Sequence, residues 1–212
     1  MSEGKVRSAI RGSLGEEIAN AITHGVGVIL SIIGLVVLIV YGGGGSVIGL
    51  AVYGVTLILL YLASTLYHSL IFTRARSLFR KFDHMAIFLL IAGTYTPFCL
   101  LALKGWLAWT LLGTVWAFAI FGIVMKSLFT GRFEWLSVCA YIATGWLVVF
   151  AIKPIYEALS FEGFLLLIGG GIAYTIGTFF YMRSRLPYNH SIWHLWVLAG
   201  SVLHFFSVLT LV

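Results

Sequence analysis

Residues 47–72 read VIGLAVYGVTLILLYLASTLYHSLIF, and no Asp, Glu, Lys or Arg interrupts them. A helix that crosses the hydrocarbon core of a bilayer needs about 20 predominantly apolar residues. The run is too long and too uniformly apolar for a barrel strand, whose residues alternate. Lipid offers the backbone no hydrogen-bond partners, so only helices and closed barrels cross it. The stretch therefore reads as a membrane-spanning helix.

Working outward, apolar runs separated by charge or glycine clusters predict further spans at 21–41, 83–103, 106–126, 133–152, 163–182 and 190–212. With 47–72 these make seven, and they nearly exhaust the 212 residues. The expected organisation is a cytoplasmic or interfacial segment at 1–20 followed by a seven-helix transmembrane domain at 21–212, an all-α membrane protein. Composition excludes a soluble domain: 9% of residues are charged, against about 25% in soluble domains. The net charge of +6 does not mark a nucleic-acid binder, because the basic residues fall in short clusters between apolar runs and form no basic face.

Those clusters set direction. Seven spans put on one side Lys5, Arg7 and Arg11, then Arg74, Arg76, Arg80 and Lys81, then Lys126 and Arg132, then Arg183 and Arg185, leaving only Lys104 and Lys153 on the other. The positive-inside rule then predicts a cytoplasmic N-terminus and an outer C-terminus, in the cell (inner) membrane. Glu16 and Glu17 follow the first basic residues, and the apolar run after them exceeds a signal-peptide core, so the first span is expected to be retained. Gly42–Gly45 becomes an uncharged outer turn. Val6, Ile10, Leu14 and Ile18 recur every four residues, a stripe suited to an interfacial helix, with a disordered tail the competing reading. Cys99 and Cys139 fall inside apolar runs near opposite faces, so no disulfide is expected. The halves show no internal echo of the transporter kind, and the last span has no central lysine to carry a retinal.

Ionisable groups inside spans are costly, so their positions carry information. His190 and His194 are four apart in NHSIWH, which places both imidazoles on one helix face about 6 Å apart, as two ligands of one metal require. Ser64 and His68 share a face of the second span near the same membrane surface. Asp83 opens the third span at that depth, where it serves either as an N-cap or as a site residue. Three histidines, an aspartate and a serine from three helices thus converge on one level. Imidazole-rich ligation suits zinc best, with nickel, copper and iron also accepting such donors. Three protein ligands leave a tetrahedral zinc one open position, the mark of a catalytic site, and Asp83 is then suited to accept a proton from water.

Other polar residues fall into place around these. Glu17 and Asn20 precede His24 by seven and four residues on one face, and the three either orient the ligands or simply make a polar helix entrance. His204 continues the stripe of His194 about 15 Å deeper, too far to share the ion, and is expected either to line a substrate cavity or to pair with a buried polar group. His84 lies about 100° round the helix from Asp83, so Asp83 is expected to face the metal and His84 to face away. Pro97 is expected to kink the third span, and Gly169–Gly171 with Gly177 to let the sixth pack closely.

Four segments together resemble the hemolysin III branch of the progestin and adipoQ receptor family, to which the adiponectin receptors belong: EIANAITHGVG at 17–27, STLYH at 64–68, DHMAIFLLIAGTYTPF at 83–98 and HSIWHLWVLAGSVLHF at 190–205. The resemblance implies a seven-helix bundle with zinc near the inner face. Its pattern falls on His68, His190 and His194 as ligands, Asp83 beside the reactive water and Ser64 as the hydroxyl of the motif. The wider superfamily includes alkaline ceramidases, which implies hydrolysis of an amide or ester of a membrane lipid. Three functions stay open at this point: a zinc-dependent lipid hydrolase, a lipid sensor with structural zinc, and a pore-forming cytolysin, the last lacking any long polar stripe. A membrane lipid is the expected partner under the first two, and no oligomeric state is assigned.

Overall fold

The computed structural model describes residues 3–42, 47–183 and 186–212, and for 3–13 the backbone alone. The expected turn at 43–45, Arg185 and the side chains of Val6 and Ile10 lie outside the described residues. The elements in order are α1 (Glu3–Tyr41), α2 (Val47–Ser69), α3 (Arg76–Pro97), α4 (Gly105–Phe129), α5 (Glu134–Gly145), α6 (Ile152–Ala158), α7 (Phe161–Tyr181) and α8 (Asn189–Leu209). A π-turn at Phe98–Ala102 extends α3, and a 3-10 segment at Trp146–Ala151 joins α5 to α6.

Among the described residues, seven helical stretches are long and apolar enough to cross a membrane: Leu14–Tyr41, Val47–Ser69, Arg76–Ala102, Gly105–Phe129, Glu134–Ala158, Phe161–Tyr181 and Asn189–Leu209. The seven expected spans are all present, with shifted ends. The first two differences matter for the site. The helix of α1 runs unbroken through the boundary expected at residue 20, carrying Glu16 and Glu17 on the same rigid rod as His24. Helix α3 starts at Arg76 with Ala75 as its N-cap, so Asp83 is two turns inside the helix, and the N-cap reading is overturned. The basic residues Arg76, Arg80 and Lys81 did not stop the helix, because only its apolar continuation must sit in hydrocarbon.

The outward face of the bundle is apolar. On α1, Ile22, Ile29, Ile33, Val36 and Val40 are exposed, an arrangement that water penalises and lipid tails accept. Helix α3 is the most enclosed span, packed between α2 and α4, while α2 also packs on α1, and α8 on α7 and α1. A hydrogen-bonded hub sits at mid-depth: Tyr61 donates to Ser201 Oγ at 2.7 Å, Tyr174 Oη lies 2.8 Å from the same oxygen, and Tyr53 donates to the Ser201 carbonyl at 3.3 Å.

Pro97 closes α3, and its missing N–H is followed by the wider π-turn, which contains the buried Cys99. The fifth span is not one α-helix. It tightens at Trp146–Ala151 just ahead of Pro154 in the first turn of α6, where proline cannot donate to the preceding turn. Tyr95 of α3 clamps this break: its hydroxyl donates to Gly145 O at 2.7 Å and accepts from Val148 N at 2.8 Å. Removing that hydroxyl leaves buried backbone groups unpaired, which costs about 1–3 kcal/mol. Tyr95→Phe is therefore expected to lower the thermal midpoint of the purified protein, whereas Tyr156→Phe, at an exposed position of α6, leaves it unchanged; equal midpoints for both variants refute the clamp.

Candidate metal centre

Three of the expected residues converge at the ends of α2 and α8. His68 is in the last turn of α2 and His190 in the first turn of α8, with His194 one turn further on. Ligand nitrogens of the three lie within 4.8 Å of one another, and the ring centroids are 5.0, 5.0 and 4.6 Å apart. Helix α8 begins at Tyr188, whose left-handed φ of 55° is uncommon for a side chain of this bulk and turns the chain directly into the histidine pair.

The ring nitrogens are already sorted into those that hold the rings and those left bare. His68 Nδ1 donates to Glu17 Oε2 at 2.6 Å, while its buried Nε2 has no partner among the described residues. His194 Nδ1 lies 3.3 Å from both Asn20 O and Thr23 Oγ1. Thr23 already gives its own proton to Ala19 O at 2.8 Å, so the imidazole is the donor and its Nε2 keeps the lone pair. His190 presents a buried Nε2 without a partner, and its backbone N–H reaches Glu16 Oε1 at 3.3 Å. Ring N–H groups held by a carboxylate or a carbonyl, with the other nitrogen free, are what metal-ligating histidines require. The donor set fits a metal ion, and the fit rests on those bare nitrogens.

Helix α1 does the holding. Glu17 joins His68 to Arg76 of α3, with Arg76 also lying over the Tyr67 ring at 5.2 Å. Asn20 accepts from Ser191 Oγ at 2.6 Å through its side chain. His24 is closer to the centre than a helix entrance would be: its ring stacks on His194 at 3.4 Å and 8°, edge-on to Tyr61, with both nitrogens buried and unpartnered. Arg76, Thr23 and Ser191 were not singled out from the sequence. For Thr23 a signal existed, since it follows Asn20 at the i+3 spacing that shares a helix face; Arg76 was read only as a topology charge.

A cavity of about 240 Å³ adjoins the histidines and is lined by His24, Arg80, Asp83, His84, Glu134 and Tyr181 as well as His190 and His194. Ser64, on α2 one turn before His68, is fully buried with its Oγ unpaired, and the Asp83 carboxyl is turned toward it. Asp83 and His84 diverge as adjacent helical residues must, and the charges of Glu134, Lys126 and Arg80 are close enough to act on His84. His84 nevertheless lines the cavity, contrary to the expectation that it faces away, because the cavity is wide enough to take both directions. Lys126 is not a loop charge either. It is buried at the end of α4 and paired with Glu134 at 3.3 Å, and Tyr181 donates to the same carboxylate oxygen at 3.3 Å. His204 lies apart from the cluster, in the C-terminal half of α8, with Nε2 donating to Leu167 O at 3.0 Å.

These features define a multi-pass helical membrane protein with a buried three-histidine centre able to hold a metal ion. The chain belongs to the haemolysin-III-related family, whose model matches residues 13–205 and so takes in every residue named at the centre. It is 53% identical to "Hemolysin-3" of Bacillus cereus over 92% of this chain and 90% of that one. It is 50% identical to the "Hemolysin-3 homolog" of Bacillus subtilis over 92% and 93% of the two chains. A more distant human relative, "Monocyte to macrophage differentiation factor", is 24% identical over 74% of this chain and 67% of its own length. The hemolysin III resemblance carried by the four sequence segments is thereby borne out.

The centre predicts a graded loss of metal. Elemental analysis of purified protein is expected to find about one ion per chain, lost in His68→Ala, His190→Ala and His194→Ala. Glu17→Gln keeps the ligands but weakens the hold on His68, and is expected to reduce affinity in chelator competition by roughly 10- to 100-fold. Full occupancy in the His68 variant excludes this centre.

Proposed function

We propose that the protein is a zinc-dependent hydrolase acting on an amide or ester of a membrane lipid, with the histidine centre at the cytoplasmic side of the cell (inner) membrane. One observation carries this reading: two of the three clustered histidines, His190 and His194 of α8, line a single cavity with Asp83 of α3. A centre built only to staple helices has no use for an adjoining cavity lined by a carboxyl group. The orientation rests on the basic residues gathered at that end of the bundle.

Zinc, the metal that three imidazoles suit best, supplies a Lewis acid that polarises the carbonyl and acidifies water. The chain's own residues do the rest. Asp83 accepts the proton of the attacking water and returns it to the departing amine or alcohol. Ser64, whose buried hydroxyl lies beside the Asp83 carboxyl, orients that carboxylate or donates to the oxyanion as it develops. Glu17 holds the tautomer and angle of His68, and Asn20 with Thr23 holds those of His194. The lipid chain runs outward into an apolar cavity of about 110 Å³, which shares Leu60, Ile87, Trp193 and Val197 with the histidine cavity.

The test is turnover of lipid amides and esters by the metal-loaded protein. Asp83→Asn is expected to lower the rate by roughly 10²–10⁴ with metal content unchanged, and Ser64→Ala to lower it by a smaller factor. Lipid binding without product in the wild-type protein sinks the hydrolase reading in favour of a sensor, and an Asp83→Asn variant of full activity removes the assigned role of the carboxyl.

A further inference from the structure

His204 is a buried imidazole with one satisfied nitrogen and one bare one, far from the metal centre. It is fixed from behind. Its Nε2 donates to Leu167 O at 3.0 Å, and its Cδ2–Nε2 edge packs on Gly170 of α7, where a Cβ has no room. The neutral ring can donate through only one nitrogen, so this contact leaves Nδ1, on the opposite edge, as a pure acceptor. Nδ1 is buried and has no partner among the described residues. Buried acceptors without donors are rare and costly.

The surroundings cannot supply the missing donor. His204 lines both the 110 Å³ apolar cavity and a further one of about 50 Å³ toward the outer end of the bundle. The hydroxyls that line these cavities with it are engaged elsewhere: Thr94 donates to Leu90 O, Thr175 to Gly171 O, Thr178 to Thr175 O, Tyr95 to Gly145 O and Tyr141 to His84 O, and Tyr174 Oη shares a hydrogen bond with Ser201 Oγ. The Trp146 indole N–H is spent on Thr175 Oγ1. The donor must therefore arrive with the ligand.

We propose that the outer cavities bind an acyl chain that bears a hydroxyl group along its length, and that His204 Nδ1 accepts the proton of that hydroxyl. This deepens the lipid reading given above and rests on its view that a chain enters the bundle, but not on hydrolysis. His204 lies ten residues beyond His194, about 15 Å along the helix, so the recognised hydroxyl belongs to the middle of the chain and is remote from the scissile group. A site built to hydrogen-bond a hydroxyl discriminates against the analogue that lacks it, since the bare acceptor then stays unpaired.

The experiment measures equilibrium binding of stearate and of stearates hydroxylated at successive positions, using the metal-loaded full-length protein in detergent. Wild type is expected to bind one mid-chain hydroxystearate roughly tenfold more tightly than stearate, with hydroxyls near the carboxylate giving no gain. His204→Leu is expected to abolish that preference, and His204→Gln to keep it, because an amide can both donate to Leu167 O and accept from the ligand. Equal affinity for hydroxylated and plain chains in wild type overturns the proposal without any variant, and so does a preference that survives in His204→Leu. Absence of turnover alongside an intact preference counts against the hydrolase reading alone.

Discussion

The carboxylate of Glu17 joins three helices at one point. It belongs to α1, accepts a hydrogen bond from Nδ1 of His68 on α2 at 2.6 Å, and pairs with Arg76 of α3. In a water-poor setting an ionised carboxylate persists only where charge and hydrogen bonds compensate it, and here the compensation comes from residues that also build the site. Arg76 balances the charge, His68 is turned so that its other nitrogen is bare, and the start of the first span is pinned to the ends of the second and third. Without this contact His68 has no fixed tautomer, and the ring pair on α8 faces a partner of undefined orientation.

The helices and the histidine trio were legible because their signals are local. A span announces itself by uninterrupted apolar length, and His190 with His194 by the four-residue spacing of a helix face. Ser64 and His68 follow the same rule. What the sequence hid were relations across helices. The Lys126–Glu134 pair spans the turn between α4 and α5, so no periodicity links the two residues. The stacking of His24 on His194 depends on how α1 leans against α8, which spacing does not report. Helix ends were misplaced for a related reason: α1 and α3 begin before their apolar runs do, since a helix does not end where hydropathy falls but where its hydrogen bonds stop. That early start of α3 is what moved Asp83 from a capping position into the wall of the cavity.

The two cavities follow from irregularity in otherwise regular spans. The 3-10 segment at Trp146–Ala151 and the π-turn after Pro97 border these cavities: Trp146 lines both, and Phe98 and Val148 line the smaller. Tyr95 bridges these two irregular segments, and both cavities are lined by it. Polar chemistry is concentrated at one end and apolar volume beyond it, which suits a molecule with a reactive head and a long tail.

Helix α8 has consequences for how the protein is made. It is the least apolar of the seven spans, with a mean hydropathy of 1.6 against 2.5 for the first, and it carries His190, Ser191, His194, Ser201 and His204. Each of its principal partners, Asn20, Thr23, Tyr61, Leu167 and Tyr174, lies on a helix that the ribosome delivers earlier. Synthesis from the N-terminus thus has the polar receptors waiting before the polar helix arrives. Helix α8 enters a bundle already shaped to neutralise it, and the three-histidine group is completed only once α8 has been made.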